Sequence, residues 1–228
     1  MNDFQIARWF NENDKFSGNT SNNIPAYILD TEENSDNIKD CIVVSPTADR
    51  TKIRTLFTKG ARQVLIGESV LVDKYLLQDM IKQYGKEKIG IWLPVRLTQR
   101  SWTLDRKSNV DFSFVSVSNP LPRWIVLKAN GDMTDVDALT WVSEILKAGC
   151  SSIMVSIDEP QDEDLLACAE MSEIAGNKFW LNTDSSDIEE IRFWVQYGHV
   201  LQLVVPHETD IELLAVNLNT RLMQGTFV

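Results

Sequence analysis

The sequence has 228 residues, of which 43% are apolar and 24% are charged, a composition typical of one ordinary folded domain. Its formal net charge of −11 argues against a nucleic-acid partner and against an anionic membrane surface, because both are bound through clusters of Lys and Arg. The three cysteines have no CxxC spacing, so we expect no metal or cofactor. Neither a signal peptide nor a membrane-spanning run is found, so we expect a cytoplasmic protein.

The first elements of the chain are the least regular. Residues 3–11 are predicted to form a short helix with Phe4, Ile6, Ala7 and Phe10 on its apolar side. Residues 25–30 then form a predicted strand with Asp30 at its C-terminal end, where a parallel barrel places its chemistry. This strand could be the first or the second of a barrel. The preceding helix favours the second, which leaves no first strand.

The next part of the chain alternates strands with helices. Runs rich in β-branched residues predict strands at about 41–45, 63–67 and 88–93. Thr47 or Asp49 can cap the helix at 51–59, and Ser69 or Asp73 can cap the helix that follows the second strand. A strand–helix–strand unit has a right-handed crossover, so these strands should be parallel.

Residues 97–132 form an insertion after the strand at 88–93. The insertion contains two β-type runs, at 112–117 and 124–128, and a hairpin is the simplest arrangement for them. Its Trp and Arg side chains could cover the mouth of a barrel or form a surface for a partner. The hairpin could equally pack on the rim without a role in binding.

The C-terminal half repeats the alternation. Strands are predicted at about 151–157, 178–182 and 200–205, and helices at 135–147, 165–175 and 188–196. Ser186 and Glu189 have the spacing of a capping box at the start of the last of these helices. A glycine closes a helix shortly before a strand at four places, Gly60, Gly85, Gly149 and Gly198. Four such recurrences indicate a repeated strand–helix unit.

One stretch, residues 60–96, also resembles a known family. Its order Gly-Ala-x-x-Val-x-Ile-Gly, an amphipathic helix, Tyr-Gly and then Ile-Gly-Ile is similar to strands four and five of the histidine-biosynthesis barrels, the aminoaldose isomerase HisA and the cyclase HisF. A weaker similarity extends over residues 40–205. The resemblance implies a single α/β domain over residues 1–228, a (β/α)8 TIM-barrel-like fold with a reduced N-terminal unit and a hairpin-like insertion after strand five.

The resemblance also implies two phosphate-binding loops at the barrel mouth, after strands three and seven. The family uses glycines there so that backbone N–H groups can approach the phosphate closely, and this sequence has none in either loop. Asp184 places a negative charge where the second phosphate would lie. The substrate-binding candidates that remain are the side chains of Ser45, Thr47, Asn182, Thr183, Ser185 and Ser186.

For catalysis, the resemblance implies an acid and a base, two aspartates at the ends of strands one and five. Pro94 stands at the strand-five position, and proline has no proton to give. Asp30 and Asp158, each at the end of a predicted strand, are the remaining candidates for a catalytic pair. The alternative is that both are helix caps or solvated loop acids. His207 is expected to be a surface residue after strand eight.

Two hypotheses of different class stay open. The first is a diverged enzyme or binder of a small phosphorylated metabolite, related to the phosphoribosylformimino aminoimidazole carboxamide ribotide isomerase. If it is an enzyme, it is an isomerase of the aminoaldose–aminoketose (Amadori) type, but it is not competent for the histidine-pathway reaction as usually run. The second is a non-catalytic barrel, a pseudoenzyme that acts through a protein partner or as a homo-oligomer.

Overall fold

The computed structural model describes residues 4–16, 24–31, 34, 37–98, 108–109, 112–113 and 122–224. Its strands are β1 (Gln5–Phe10), β2 (Ala26–Leu29), β3 (Ile42–Ser45), β4 (Gln63–Ile66), β5 (Ile89–Thr98), β6 (Ser108–Asn109), β7 (Phe112–Ser113), β8 (Arg123–Leu127), β9 (Met133–Asp137), β10 (Ile153–Ile157), β11 (Phe179–Asn182) and β12 (Gln202–Pro206). Its helices are α1 (Arg50–Thr58), α2 (Ser69–Val72), α3 (Lys74–Tyr84), α4 (Ala138–Lys147), α5 (Asp164–Ala175), α6 (Ile188–Gln196) and α7 (Ile211–Gln224), with a 3-10 turn at Gly176–Lys178.

The strands form a closed parallel barrel. β1 to β5 pair in chain order, β5 pairs next with β10, and β10, β11 and β12 follow until β12 returns to β1. The eight-stranded barrel with surrounding helices that the sequence predicts is therefore confirmed. Because every neighbouring pair in the barrel is parallel, the carboxyl ends of the eight strands lie together at one end, which we call the mouth.

The first strand corrects a prediction from the sequence. The pattern predicts a helix over residues 3–11, but Gln5–Phe10 is a strand between β12 and β2. Ala7 and Trp9 are buried inside the barrel, and Ile6 packs against the core outside it. The strand therefore alternates between two apolar environments. The prediction that residues 25–30 contain the second strand is confirmed by β2.

Among the described residues, a small aromatic cluster covers part of the outer face of β1 and β2. Among the described residues, neither strand is followed by a helix before the next strand begins. The aromatic ring of Phe16 lies there, edge-on to Phe10 at 4.9 Å between ring centroids. It completes a small buried cluster with Phe10, Ala26, Ile28 and Cys41. The reduced N-terminal unit that the sequence predicts therefore has a small hydrophobic cluster of its own.

The excursion after β5 is antiparallel, as a hairpin-like insertion requires, but its strands pair differently from the prediction. β5 continues to Thr98, and its last residues pair antiparallel with β8, which pairs in turn with β9. Both edges of β8 are thus occupied, so the predicted pairing of 112–117 with 124–128 is wrong; residues 114–117 lie outside the described part of the chain. The helix predicted from residue 135 begins at Ala138, because Asp137 ends β9 and caps α4 by accepting a hydrogen bond from Thr140 N at 2.8 Å.

The barrel interior combines aromatic with aliphatic side chains. Trp9, Tyr27, Trp92 and Trp180 pack inside it, and the rings of Tyr27 and Trp180 lie 5.5 Å apart. The larger core lies between the barrel wall and the helices. The three cysteines are buried free thiols, and burial raises the pKa of Cys41 and of Cys150 to about 11. In the part of the chain that the structure describes, no helix is long and apolar enough to cross a membrane.

Three of the four predicted closing glycines, Gly60, Gly85 and Gly149, have positive φ as expected. Gly198 does not, and the next residue, His199, has φ 55° in its place. Gly198 is needed for space instead, because a Cβ there would lie 2.7 Å from the carbonyl oxygen of Trp194. His199 is exposed.

Candidate functional site

One row of residues crosses the mouth on neighbouring strands. Pro94, Ser156 and Asn182 are in register on β5, β10 and β11. The Ser156 hydroxyl oxygen accepts hydrogen bonds from Trp92 Nε1 at 2.9 Å and from Asn182 Nδ2 at 3.1 Å. Asn182 is only 6% exposed, and its Oδ1 has no hydrogen-bond partner among the described residues. The last residue of the row, Asn182, therefore has a buried acceptor oxygen without a hydrogen-bond partner among the described residues.

The carboxylate of Asp158 is bound by Arg96, a residue that the sequence pattern does not mark as part of a site. Arg96 Nε donates to Asp158 Oδ2 at 2.8 Å, and Nη2 donates to the same oxygen. This hydrogen bond raises the pKa of Arg96. Arg96 lies in the part of β5 beyond residue 93, where the predicted strand ends. Both side chains are partly exposed, so the pair is accessible from solvent at the mouth.

Asp30 is more deeply placed than Asp158. Its side chain is 5% exposed, and Lys52 Nζ of α1 lies 2.9 Å from Oδ1. Ser45 Oγ donates to Oδ2 at 2.6 Å. A buried carboxylate requires such compensation, since an unpaired charge in a protein interior is costly. The hydroxyl group of Ser45, a predicted substrate-binding group, is therefore hydrogen-bonded to Asp30.

The two predicted catalytic carboxylates lie on opposite sides of the mouth. Asp30 follows β2 and Asp158 follows β10, and these strands are four apart along either route around the barrel. Each carboxylate is paired with its own cation, Lys52 or Arg96. The structure therefore brings both to the mouth without placing them in contact.

The predicted phosphate ligands after β3 do not form a cradle. Thr47 is exposed, and the cap of α1 is Asp49, the second of the two predicted candidates. Asp49 Oδ1 accepts a hydrogen bond from Lys52 N at 2.7 Å. A carboxylate therefore occupies the helix terminus that a phosphate would need.

The loop between β11 and α6 uses its hydroxyl groups internally. Thr183 Oγ1 donates to Ser185 O at 3.0 Å and accepts from Ser185 N at 3.1 Å. Ser185 Oγ accepts from Asp187 N at 3.1 Å. The predicted capping box at Ser186 is wrong by one residue: Asp187 is the cap and accepts from Glu189 N at 2.8 Å, while Ser186 is exposed.

A cavity of about 300 Å³ opens beside this loop, between the ends of β10 and β11 and the helix α6. It is lined by Ile157, Pro160, Leu181, Asn182, Thr183, Asp184, Ser185, Glu190 and Trp194. Burial, and secondarily the charge of Asp158, raises the pKa of Asp184, although much of this side chain remains in contact with solvent. The volume is at the lower end of the range for sites that bind small molecules.

Four residues of this region are absent from the sequence prediction: Ser156, Arg96, Glu190 and Trp194. A signal existed for Ser156, because it precedes Asp158 by two residues and so lies on the same side of a strand. Glu190 and Trp194 lie four apart on the predicted helix, which places them on one face. Nothing in the local pattern indicates that this face borders a cavity.

His207 is engaged in local packing. Its ring stacks on Phe10 at 4.9 Å, and Arg8 donates a hydrogen bond to its carbonyl oxygen. Its Nδ1 lies 3.1 Å from Glu208 and 3.4 Å from Asp14. Within the described ranges, no group of three or more His, Cys, Asp or Glu residues is arranged to hold a metal ion.

No model of a protein family matches the chain, and no curated protein sequence matches it. The resemblance to the histidine-biosynthesis barrels stays a hypothesis that rests on the residues that carry it. A barrel fold alone does not identify a function, because many unrelated activities use it.

Proposed function

We propose that this protein is a diverged barrel of the histidine-biosynthesis type that binds a small metabolite at its mouth. The observation that carries the proposal is the cavity of about 300 Å³ at the carboxyl ends of β10 and β11. Ligands of parallel barrels bind at this end, where loops vary without disturbing the barrel wall. Asn182 lines this cavity, and its Oδ1 is a buried acceptor without a hydrogen-bond partner among the described residues.

The proposal excludes the family's isomerisation as usually run. That reaction needs a general acid and a general base on opposite sides of the sugar. Pro94 offers no proton, and Asp30 and Asp158 each hold a cation. If the protein is an enzyme of the Amadori type, these two aspartates are the pair that spans the mouth, and each would have to release its cation before it could transfer a proton.

A phosphorylated ligand is the class that the family resemblance suggests. It is supported by two helices, α1 and α6, which begin behind β3 and β11 and direct their positive ends toward the mouth. It is opposed by the carboxylates of Asp49 and Asp184 in the same loops. We therefore propose small-molecule binding without requiring a phosphate.

The test of small-molecule binding is a pair of matched variants. Ser185 lines the cavity and the neighbouring Ser186 does not, so Ser185→Phe fills the site and Ser186→Phe is its control. Ligand-observed NMR with a panel of sugar phosphates, amines and carboxylates should detect binding to the natural protein and to Ser186→Phe. Ser185→Phe should abolish it. Absence of any binder, or binding that survives Ser185→Phe, would contradict the proposal.

A second candidate function is protein association. Phe193 and Tyr197 stack on each other on the outer face of α6, with ring centroids 5.8 Å apart, and are 52% and 51% exposed. An exposed aromatic pair favours a contact with another protein or with a second copy of the chain. Light scattering of the natural protein and of Phe193→Asp decides this candidate: an oligomer that the substitution dissociates supports it, and a monomer in both cases excludes self-association.

A further inference from the structure

We infer that the cavity between β10, β11 and α6 binds a small organic cation, a protonated amine carried on an apolar body. The inference rests on the proposed small-molecule function and specifies the class of ligand. Three independent properties of the cavity point to it: the polar atom it leaves unused, the sign of the charges around it, and the apolar walls.

The unused polar atom is an acceptor. Asn182 lines the cavity, and its amide nitrogen already donates to Ser156 Oγ at 3.1 Å. Its Oδ1 has no partner in the described part of the chain, although Asn182 is 6% exposed. Buried polar atoms nearly always have a hydrogen-bond partner. The missing partner must be a donor, which an ammonium group supplies and a carboxylate at neutral pH does not.

The charges around the cavity are negative. Asp184 comes from the β11–α6 loop and Glu190 from α6 itself, and none of the nine lining residues is Lys, Arg or His. The guanidinium group of Arg96, at the neighbouring strand end, is bound to Asp158. A cation entering the cavity therefore meets two carboxylates and no competing positive charge on its walls. The net charge of −11 also raises the local concentration of cations.

The walls are apolar. Ile157, Pro160, Leu181 and Trp194 supply the apolar part of the cavity lining. A fully hydrated inorganic cation gains nothing from such walls, whereas the carbon skeleton of an amine is removed from water there. An apolar enclosure with a few converging polar groups is the usual form of a small-molecule site.

The test compares three probes that share one ring and differ in charge: benzylammonium, benzyl alcohol and benzoate. Calorimetric titration at pH 7.5 should show that benzylammonium binds at least about tenfold more tightly than benzyl alcohol, the ratio expected for a charge-assisted hydrogen bond. Benzoate should not bind measurably. Equal binding of the alcohol and the ammonium would overturn the inference.

A pair of neighbouring substitutions locates the site. Glu190 lines the cavity, whereas Glu189 lies outside it and is bound to Arg192. Glu190→Gln and Glu189→Gln remove the same charge from the same turn of the same helix. The first should weaken benzylammonium about tenfold and the second should leave it unchanged. Asn182→Leu, a substitution of similar volume, should weaken it as well, with thermal unfolding measured to show that each variant is folded.

The outcomes separate the two proposals. Benzylammonium binding that responds to Glu190→Gln but not to Glu189→Gln supports both. Binding of ribose 5-phosphate, abolished by Ser185→Phe, with no binding of benzylammonium overturns the inference and supports the proposed function. Benzylammonium binding that is the same in all three variants overturns the inference, because the amine then lies elsewhere. If neither class of compound binds, both proposals fail.

Discussion

The indole nitrogen of Trp124, in β8, donates a hydrogen bond to the carboxylate of Asp164 at the start of α5. Asp164 is completely buried, and its other oxygen accepts from Gln161 N at 2.7 Å. Burial raises the pKa of Asp164, and the indole hydrogen bond opposes that rise. The bond thus joins the excursion after β5 to the helix that follows β10.

We expect Trp124→Phe to reduce the free energy of unfolding by about 1–3 kcal/mol at pH 7, because Asp164 then loses a donor. A carboxylate with a raised pKa binds its proton more tightly in the folded state, so stability rises as the pH falls through the folded pKa toward 3.8. Trp124→Phe should raise the pKa of Asp164 further. The loss of unfolding free energy that this substitution causes should therefore be smaller at pH 4 than at pH 7.

Urea denaturation at the two pH values measures this difference. Trp9→Phe is the control, since Trp9 is also buried but makes no indole hydrogen bond among the described residues. Its cost should be the same at both pH values. An equally pH-independent cost for Trp124→Phe would show that the indole bond does not affect the ionisation of Asp164.

We expect no histidine-pathway isomerisation at a normal rate. The strand-five position is Pro94, and loss of an acid or base alone typically lowers a rate about 10²- to 10⁴-fold. Expression of the protein in an isomerase-deficient strain should not restore growth without histidine. Growth at ordinary expression would refute the prediction.

Phosphate should bind weakly, at millimolar concentrations or above. The exposed N-terminus of α6 contributes roughly 0.3–1 kcal/mol toward an anion, and the carboxylate of Asp184 opposes it. Asp184→Gly should strengthen binding in a titration with inorganic phosphate. Ser186→Gly in the same loop adds backbone freedom without removing a charge, so a matching gain in that variant would show that charge is not the cause.

Gly90 should not tolerate a side chain. A Cβ at this position would lie 2.3 Å from Leu65 Cδ2 and 2.8 Å from Ser152 O inside the barrel. We expect Gly90→Ala to cost about 3 kcal/mol. Gly131→Ala is the comparison, because Gly131 has φ +84° but no atom within 4 Å of its Cβ position, so only about 1 kcal/mol of backbone strain is expected. Thermal unfolding that ranks the two variants in the opposite order would contradict the packing seen at Gly90.

Phe16 should contribute as much to stability as a core residue of a regular helix. It is 5% exposed and covers part of the outer face of β1 and β2. Phe16→Ala should cost about 3–5 kcal/mol, whereas Phe193→Ala, at an exposed ring, should cost well under that. A small effect of Phe16→Ala in chemical denaturation would mean that this face of the barrel does not need a cover.

Most of the barrel could be predicted from local patterns. The strands β3, β4 and β10 to β12 are continuous apolar runs, because both faces of a parallel strand in a barrel are covered. The N-terminal strand could not be predicted in this way. The spacing of Phe4, Ile6, Ala7 and Phe10 also fits a helix, and only the pairing with β2 and β12 decides that it is a strand.

The site was predictable in position but not in detail. Asp30 and Asp158 follow apolar runs directly, which places them at strand ends. Their partners Lys52 and Arg96 come from a helix and from an extension of β5 that exists because β8 pairs with it. The cavity depends on how far α6 lies from the ends of β10 and β11. No local sequence pattern predicts the distance between a helix and two strand ends.

The pairing of β1 with β12 bears on how the chain is made. Gln5 pairs with Gln202 and Trp9 with Pro206. One partner of the first strand is therefore synthesised only about 200 residues after it. Until then, the nascent chain has an open sheet with two unpaired edges, which other chains can join. The barrel can therefore close only after β12 has been synthesised, and we expect protection of these edges until then to raise the yield of folded protein.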